Sequence, residues 1–146
     1  VCLRYFNVFG PRQDPTSHYA AVIPLFITSM LDGRPPLIHG NGEQSRDFTF
    51  IDNVVHGNLL ASRAERAPGE VMNLATGGRI TLLDLVSKIN AVLGTDLQAL
   101  HGPARAGDIK HSRAGISKAA ELLGYEPVVS FDEGLARTVN WYQQQA

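Results

Sequence analysis

The chain has 146 residues, 44% of them hydrophobic and 18% charged, with a formal net charge of -1. That is the composition of an ordinary globular domain, and the absence of a Lys/Arg run excludes a nucleic-acid surface built on a basic patch. No apolar stretch approaches the roughly eighteen residues of a membrane span, there is no signal-like amino terminus, and the single cysteine, Cys2, excludes an internal disulfide and suits the cytoplasm.

Val1 to Phe9 is a β-branched and aromatic run ended by Gly10-Pro11. It is apolar on both faces, which predicts a central strand of a parallel sheet with Cys2 buried in it. Asn7 lies near the carboxyl end of that strand, where open α/β sheets take ligands, so its amide either meets a substrate or satisfies turn backbone. Gly10 to Ser17 reads as a loop. A helix follows, starting between Tyr19 and Val22 and stopping at Gly33, with Val22, Leu25, Phe26, Ser29 and Met30 on one face and Pro24 in its first turn.

Leu37-Ile38-His39 and Asp47-Phe48-Thr49-Phe50 read as short strands joined by a Gly/Asn-rich connection, the pattern of a hairpin with an enlarged loop. Asp52 predicts the N-cap of a helix from Asn53 to Ala64, and Pro68-Gly69 leads into a strand, Glu70 to Ala75, that joins the sheet of the first strand. Asn73 inside it is expected to make structural hydrogen bonds. Thr81 with Asp84 forms a capping box for a helix with one apolar stripe, ended by Gly94. Leu97 to His101 reads as a strand, and Ile116 to Leu123 as a short helix closed by Gly124. Ser130 with Glu133 predicts a second capping box, for a last helix from Phe131 to Gln143 that Trp141 and Tyr142 anchor on the core. Lys118 and Arg137 read as solvated charges. The five histidines show no paired ligand spacing, so no metal site is expected.

Four stretches, in order, carry a family likeness: RYFNVFGPRQ from Arg4, VIPLFITSML from Val22, IHGNGEQSRDFTFIDN from Ile38 and RAGDIKHS from Arg105. Together they span essentially the whole chain and resemble the extended short-chain dehydrogenase/reductases that act on nucleotide sugars, above all the nucleoside-diphosphate-sugar 4-epimerases of the UDP-glucose and UDP-N-acetylglucosamine type. That family seats its cofactor on a Gly-rich turn and abstracts a sugar proton with a Tyr-x-x-x-Lys pair. Neither is in this sequence: Tyr5, Tyr19, Tyr125 and Tyr142 are followed four residues on by Phe9, Ile23, Val129 and Ala146. The expectation is therefore the C-terminal portion of a longer enzyme, inactive by itself.

The resemblance implies an α/β fold: the C-terminal part of a Rossmann-type parallel sheet plus a smaller α/β nucleotide-sugar-binding lobe. Segments 1–15 and 52–80 would belong to the sheet, 16–51 and 81–146 to the lobe. It further implies a cytoplasmic, homodimeric, NAD-dependent isomerase of carbohydrate metabolism, which epimerises a UDP-hexose at C4 through transient oxidation to a 4-keto sugar. By the same likeness Phe6 faces the nicotinamide end of NAD, Asn7 the sugar, Leu37, Ile38 and His39 the nucleobase through their backbone, and Val22, at the helix amino terminus, a phosphate or the base. Arg46 and Arg105 hold the diphosphate, Asp108 the ribose hydroxyls, and Ser112 faces the C2 substituent of the sugar. Arginine suits that task because its planar fork gives two charge-assisted bonds to oxyanions. From the residues alone other readings stay open: Arg46 paired with Glu43 or Asp47, Arg105 paired with Asp108, and Ser112 turning the chain before a helix. A 4,6-dehydratase is the alternative enzyme, and a non-catalytic nucleotide-sugar-binding module or inactive remnant the alternative of another class.

Overall fold

The computed structural model describes residues 1–16 and 21–145. The expected start of the first helix at Tyr19 and the end of the preceding loop at Ser17 lie outside the described residues. Among the described residues eight short strands and five helices follow one another as β1 (Cys2–Tyr5), β2 (Val8–Phe9), α1 (Val22–Leu31), β3 (Leu37–His39), β4 (Ser45–Arg46), β5 (Thr49–Phe50), α2 (Ile51–Ala61), β6 (Val71–Leu74), β7 (Ile80–Thr81), α3 (Leu82–Leu93), β8 (Leu100–Gly102), α4 (Ser117–Leu123) and α5 (Phe131–Gln143). The class is α/β.

β1 pairs in parallel with β6, Leu3 opposite Met72, and β2 in parallel with β5. The single apolar strand expected from Val1 to Phe9 is therefore two, because Asn7 takes a positive φ of 39° and turns the chain between them. Asn is among the few residues that tolerate this left-handed region. Its side chain then does what a turn asparagine does, donating from Nδ2 to the Asp47 carbonyl at 3.1 Å, while its own carbonyl accepts from Thr49 N–H at 3.2 Å. Cys2, expected in a buried strand, is exposed. Among the described residues only β6 lies beside β1, so one edge and much of both faces of the strand remain uncovered.

The expected hairpin does not form. β3 pairs in parallel with β8, β4 antiparallel with β7, and β5 with β2, so the two halves of the anticipated hairpin join different sheets. A short apolar strand beside a Gly/Asn loop carries no mark of its partner, and long-range pairing overrode the local turn pattern. The Asp52 cap is likewise replaced: α2 begins at Ile51 with Phe50 at the N-cap, and Asp52 sits in the first turn, paired to Arg137 at 3.0 Å. Arg137, exposed at the surface, also holds Glu133 at 2.5 Å. That pairing takes the Glu133 carboxylate away from the expected second capping box, of which only the half from Glu133 N–H to Ser130 Oγ is made. Lys118, too, is paired, to Glu70 at 2.6 Å. The Thr81–Asp84 box and the left-handed Gly94 that ends α3 are as the sequence predicts.

Two apolar cores result. The larger joins α1, α3 and α5 through Ile23, Ile27, Leu85, Ile89, Leu135 and Val139 to the aromatic cluster Phe9, Phe48 and Phe50. The smaller joins α2, β6 and α4 through Ala61, Met72, Leu74, Ala119, Leu123 and Tyr125. Segment 117–125 therefore packs beside the β1–β6 pair.

Tyr125 is wholly buried and donates to the Ala75 carbonyl at 3.0 Å. Burial first, and the Asp47 carboxylate second, push its phenol up to about 12. Because the folded value is raised, the stabilisation is complete below the unfolded value near 10 and is lost as pH rises from there toward 12. In the full-length protein Tyr125→Phe is expected to cost about 1 kcal/mol at neutral pH and to flatten the loss of stability above pH ~10, read by urea unfolding. A variant whose alkaline limb is as steep as the wild type's would rule Tyr125 out as its source.

Candidate functional site

α1 turns Ile23, Phe26, Ile27 and Met30 into the larger core, which leaves Val22, Leu25, Thr28 and Ser29 along its flank. Between that flank, β3, the Arg46 end of β4 and the turn at residues 105–108 lies an open cleft of about 480 Å³. Val22, Leu37, His39, Arg46, Arg105 and Asp108, all singled out by sequence, line it together. A second hollow of about 310 Å³ continues from it past His39, Gln44, Arg105 and Asp108 toward Lys110.

The β3 strand presents one edge to this cleft. Leu100 N–H donates to Pro36 C=O at 2.9 Å and Gly40 N–H to Gly102 C=O at 3.0 Å, which fixes the phase of the parallel ladder. In that phase Ile38 spends its N–H and C=O on β8, whereas Leu37 and His39 direct theirs to the opposite edge. Ile38 is also 1% exposed. The Ile38 backbone is thus committed to the ladder and its side chain to the core. The His39 imidazole donates from Nδ1 to the Pro103 carbonyl at 3.2 Å, tying β3 to the segment that leads into Arg105.

Arg46 is held rather than free. Its Nη1 donates to the carbonyls of Ser45 (3.0 Å) and Ile109 (2.6 Å), and its Nη2 to Asp108 Oδ1 at 2.5 Å, with the arginine side chain 19% exposed. Neither Glu43 nor Asp47 is its partner. Among the described residues Nε–H and one N–H of Nη2 remain for an external acceptor, and so does Asp108 Oδ2. Arg105 is exposed, and the turn is closed by Asp108 N–H donating to the Arg105 carbonyl at 3.2 Å, not by an Arg105–Asp108 ion pair. Arg34 adds a third guanidinium to the cleft wall, paired to Asp32 at 2.6 Å on the surface. With Arg34 paired to Asp32 and Arg46 to Asp108, three arginines against two aspartates leave the cleft one positive charge in excess, which attracts an anion.

Phe6, Asn7 and Ser112 are not in the cleft wall. Phe6 is half-buried and Asn7 exposed at the carboxyl end of β1. Ser112 is half-buried, and its N–H donates to the Ser45 carbonyl at 3.0 Å, next to Arg46. Chain-turning is the role visible for Ser112, and backbone satisfaction the one visible for the Asn7 Nδ2.

Sequence reasoning missed Asp47, Gln44, Arg34, Ser29 and Phe26. Asp47 is 0% exposed and accepts from Thr76 N–H (3.1 Å), Thr76 Oγ1–H (2.6 Å), Gly77 N–H (2.9 Å) and Ala114 N–H (3.2 Å). It clamps the carboxyl end of β6 and the segment after Ser112 onto the residue next to Arg46. The available signal was a lone acid opening the apolar run Phe48-Thr49-Phe50-Ile51.

Among the described residues there is no group of three or more His, Cys, Asp or Glu side chains that could hold a metal ion. No described helix is long and apolar enough to cross a membrane. Rossmann-type sheets cradle a cofactor's pyrophosphate on a glycine-rich turn from strand into helix, and among the described residues no strand runs into a helix through such a turn. Phe6 lies half-buried at the carboxyl end of β1, which pairs in parallel with β6. The arrangement can therefore hold an anion beside an open strand edge, and next to Arg46 the Ser45 hydroxyl and His111 Nδ1 lie 2.9 Å apart.

A model of the NAD dependent epimerase/dehydratase family matches residues 1–75. The chain belongs to that family. The UDP-glucose 4-epimerase of Thermotoga maritima, solved with UDP-glucose, superposes with a TM-score of 0.92 at 40% identity, over 98% of this chain and 45% of that one. The UDP-N-acetylglucosamine 4-epimerase of Methanobrevibacter ruminantium M1, solved with UDP-N-acetylmuramic acid, gives a TM-score of 0.91 at 43% identity, over 99% and 46%. A dTDP-glucose 4,6-dehydratase of an Actinoplanes species is 35% identical over 98% of this chain and 43% of its own length. The fold is thus part of a Rossmann-type α/β architecture, and the chain spans about 44% of the length of the curated relatives it matches.

Proposed function

We propose that this chain is the substrate-binding portion of an NAD-dependent nucleotide-sugar 4-epimerase, and that the cleft holds the nucleoside diphosphate of a UDP-hexose. The observation that carries the proposal is the convergence of Arg46, Arg105 and Asp108 with the open edge of β3 on one cleft. In this arrangement the backbone of Leu37 and His39 takes the base against Val22 and Leu25, Arg46 and Arg105 take the diphosphate, and Asp108 Oδ2 takes a ribose hydroxyl while Oδ1 steadies Arg46. The sugar extends toward Asn7 and Ser112. NAD, when bound in the parent, supplies the hydride acceptor, with Phe6 against its nicotinamide end. What this chain's own residues do is bind and orient: the grip on the diphosphate fixes where the sugar ring lies, which converts a two-body encounter into a positioned one. The parent is proposed to work as a cytoplasmic homodimer.

The 4,6-dehydratase remains the second reading, favoured by a dehydratase relative of comparable identity. Both are tested together in the full-length protein. The expected result is interconversion of the C4 epimers of UDP-glucose and of UDP-N-acetylglucosamine, with Ser112→Tyr suppressing the acetylated pair selectively, because an aromatic ring removes the volume an N-acetyl group needs. A 4-keto-6-deoxy product would establish the dehydratase. Equal loss on both sugars in the tyrosine variant would leave Ser112 only its chain-turning role, and a full-length protein that turns over neither would support the non-catalytic module.

A further inference from the structure

Gln44 is 8% exposed and lies in the wall shared by both hollows, yet nothing in the sequence marked it. Its Nε2 donates to the His39 carbonyl at 2.6 Å, and its backbone carbonyl accepts from Leu82 N–H at 3.2 Å, so side chain and backbone are both held. The consequence falls on the β3 edge. Of the backbone groups that Leu37 and His39 direct away from β8, the His39 carbonyl is spent on Gln44. Three are left open among the described residues: Leu37 N–H, Leu37 C=O and His39 N–H, reading donor, acceptor, donor. A ring imide, as in uracil or thymine, shows the complement: carbonyl, N–H, carbonyl. Cytosine shows a carbonyl, an unprotonated ring nitrogen and an amino group, which meets two of these positions with the wrong polarity.

We propose that Gln44 is a specificity-determining positioning residue: by capping the His39 carbonyl it leaves β3 an edge that selects imide bases over cytosine. It acts through the His39 backbone and touches neither the diphosphate nor the sugar. Without the cap, the His39 carbonyl becomes an extra acceptor able to take an amino group, and the discrimination relaxes. The inference rests on the proposed seating of the base at β3, and the test separates the two.

Dissociation constants of UDP, CDP and pyrophosphate are measured by calorimetry for the full-length protein and for its Gln44→Met and Gln44→Glu variants. Methionine keeps the volume and loses the donor; glutamate keeps the shape and turns an acceptor toward the His39 carbonyl. The expected wild-type preference for UDP over CDP is about 100-fold, falling to about tenfold or less in either variant, with pyrophosphate affinity unchanged. An unchanged UDP-to-CDP ratio in a folded variant overturns the role of Gln44, as does a loss shared equally by UDP, CDP and pyrophosphate, which marks a merely structural side chain. If the wild type itself fails to discriminate, or UDP binds with equal strength to Arg46→Ala and Arg105→Ala variants, the seating of the nucleotide is wrong and both statements fall. Should one variant not fold, the ratio in the other decides.

Discussion

Replacing Arg105 with alanine in the full-length protein is expected to weaken nucleotide-sugar binding by about 1.5 to 3 kcal/mol, the range for a hydrogen bond to a charged group, which is roughly 10- to 100-fold in Michaelis constant. Arg105 has no ion-pair partner among the described residues, so its loss removes ligand contacts and little else. Arg46→Ala is expected to cost at least as much. It removes the same kind of contact and also strips Asp108 of its partner and the Ile109 carbonyl of its donor. The two variants should part on stability: Arg105→Ala near wild type, Arg46→Ala measurably lower. Lysine at either position should rescue only partly, since a single ammonium cannot reproduce the planar fork, and at position 46 cannot serve two carbonyls and a carboxylate at once. Wild-type Michaelis constants in both alanine variants, across UDP-glucose and UDP-N-acetylglucosamine, would return these arginines to the surface.

The second large effect is on the fold. Asp47→Asn is expected to destabilise the protein by about 3 kcal/mol or more. An amide can present an acceptor to Thr76 or to Gly77 and Ala114 but not to both pairs, so at least one set of buried donors faces an N–H. Urea unfolding measures the change. Asp47→Asn with wild-type stability would mean that the four hydrogen bonds are replaced at no cost, which the burial of the site argues against.

Much of the helical framework was legible because its signals are local. Thr81 and Asp84 are three residues apart and make both halves of their box, and Gly94 and Gly124 take the left-handed conformation that ends α3 and α4. The sheet was legible only where a strand was long enough to show its character, as for β1 and β6. β3, β4 and β5 span two or three residues each, and their partners lie as far away as Leu100 and Ile80. No local pattern encodes such a choice. The same gap hid the parts of the site that are built by distant contact: Asp47 gathers groups from residues 76 to 114, and Gln44 reaches back to His39 across a glycine turn. The family likeness could suggest that Arg46 binds an anion but not that Asp108, sixty-two positions on, would be its clamp.

The most direct test of the nucleotide site is a crystal structure of the full-length protein with UDP bound. The expected density places both phosphates within hydrogen-bonding distance of Arg46 and Arg105, the ribose against Asp108 Oδ2, and the uracil in plane with the β3 edge at Leu37 and His39. UDP seated away from the β3 edge, with Arg46 still wholly engaged by Ser45, Ile109 and Asp108, would contradict it.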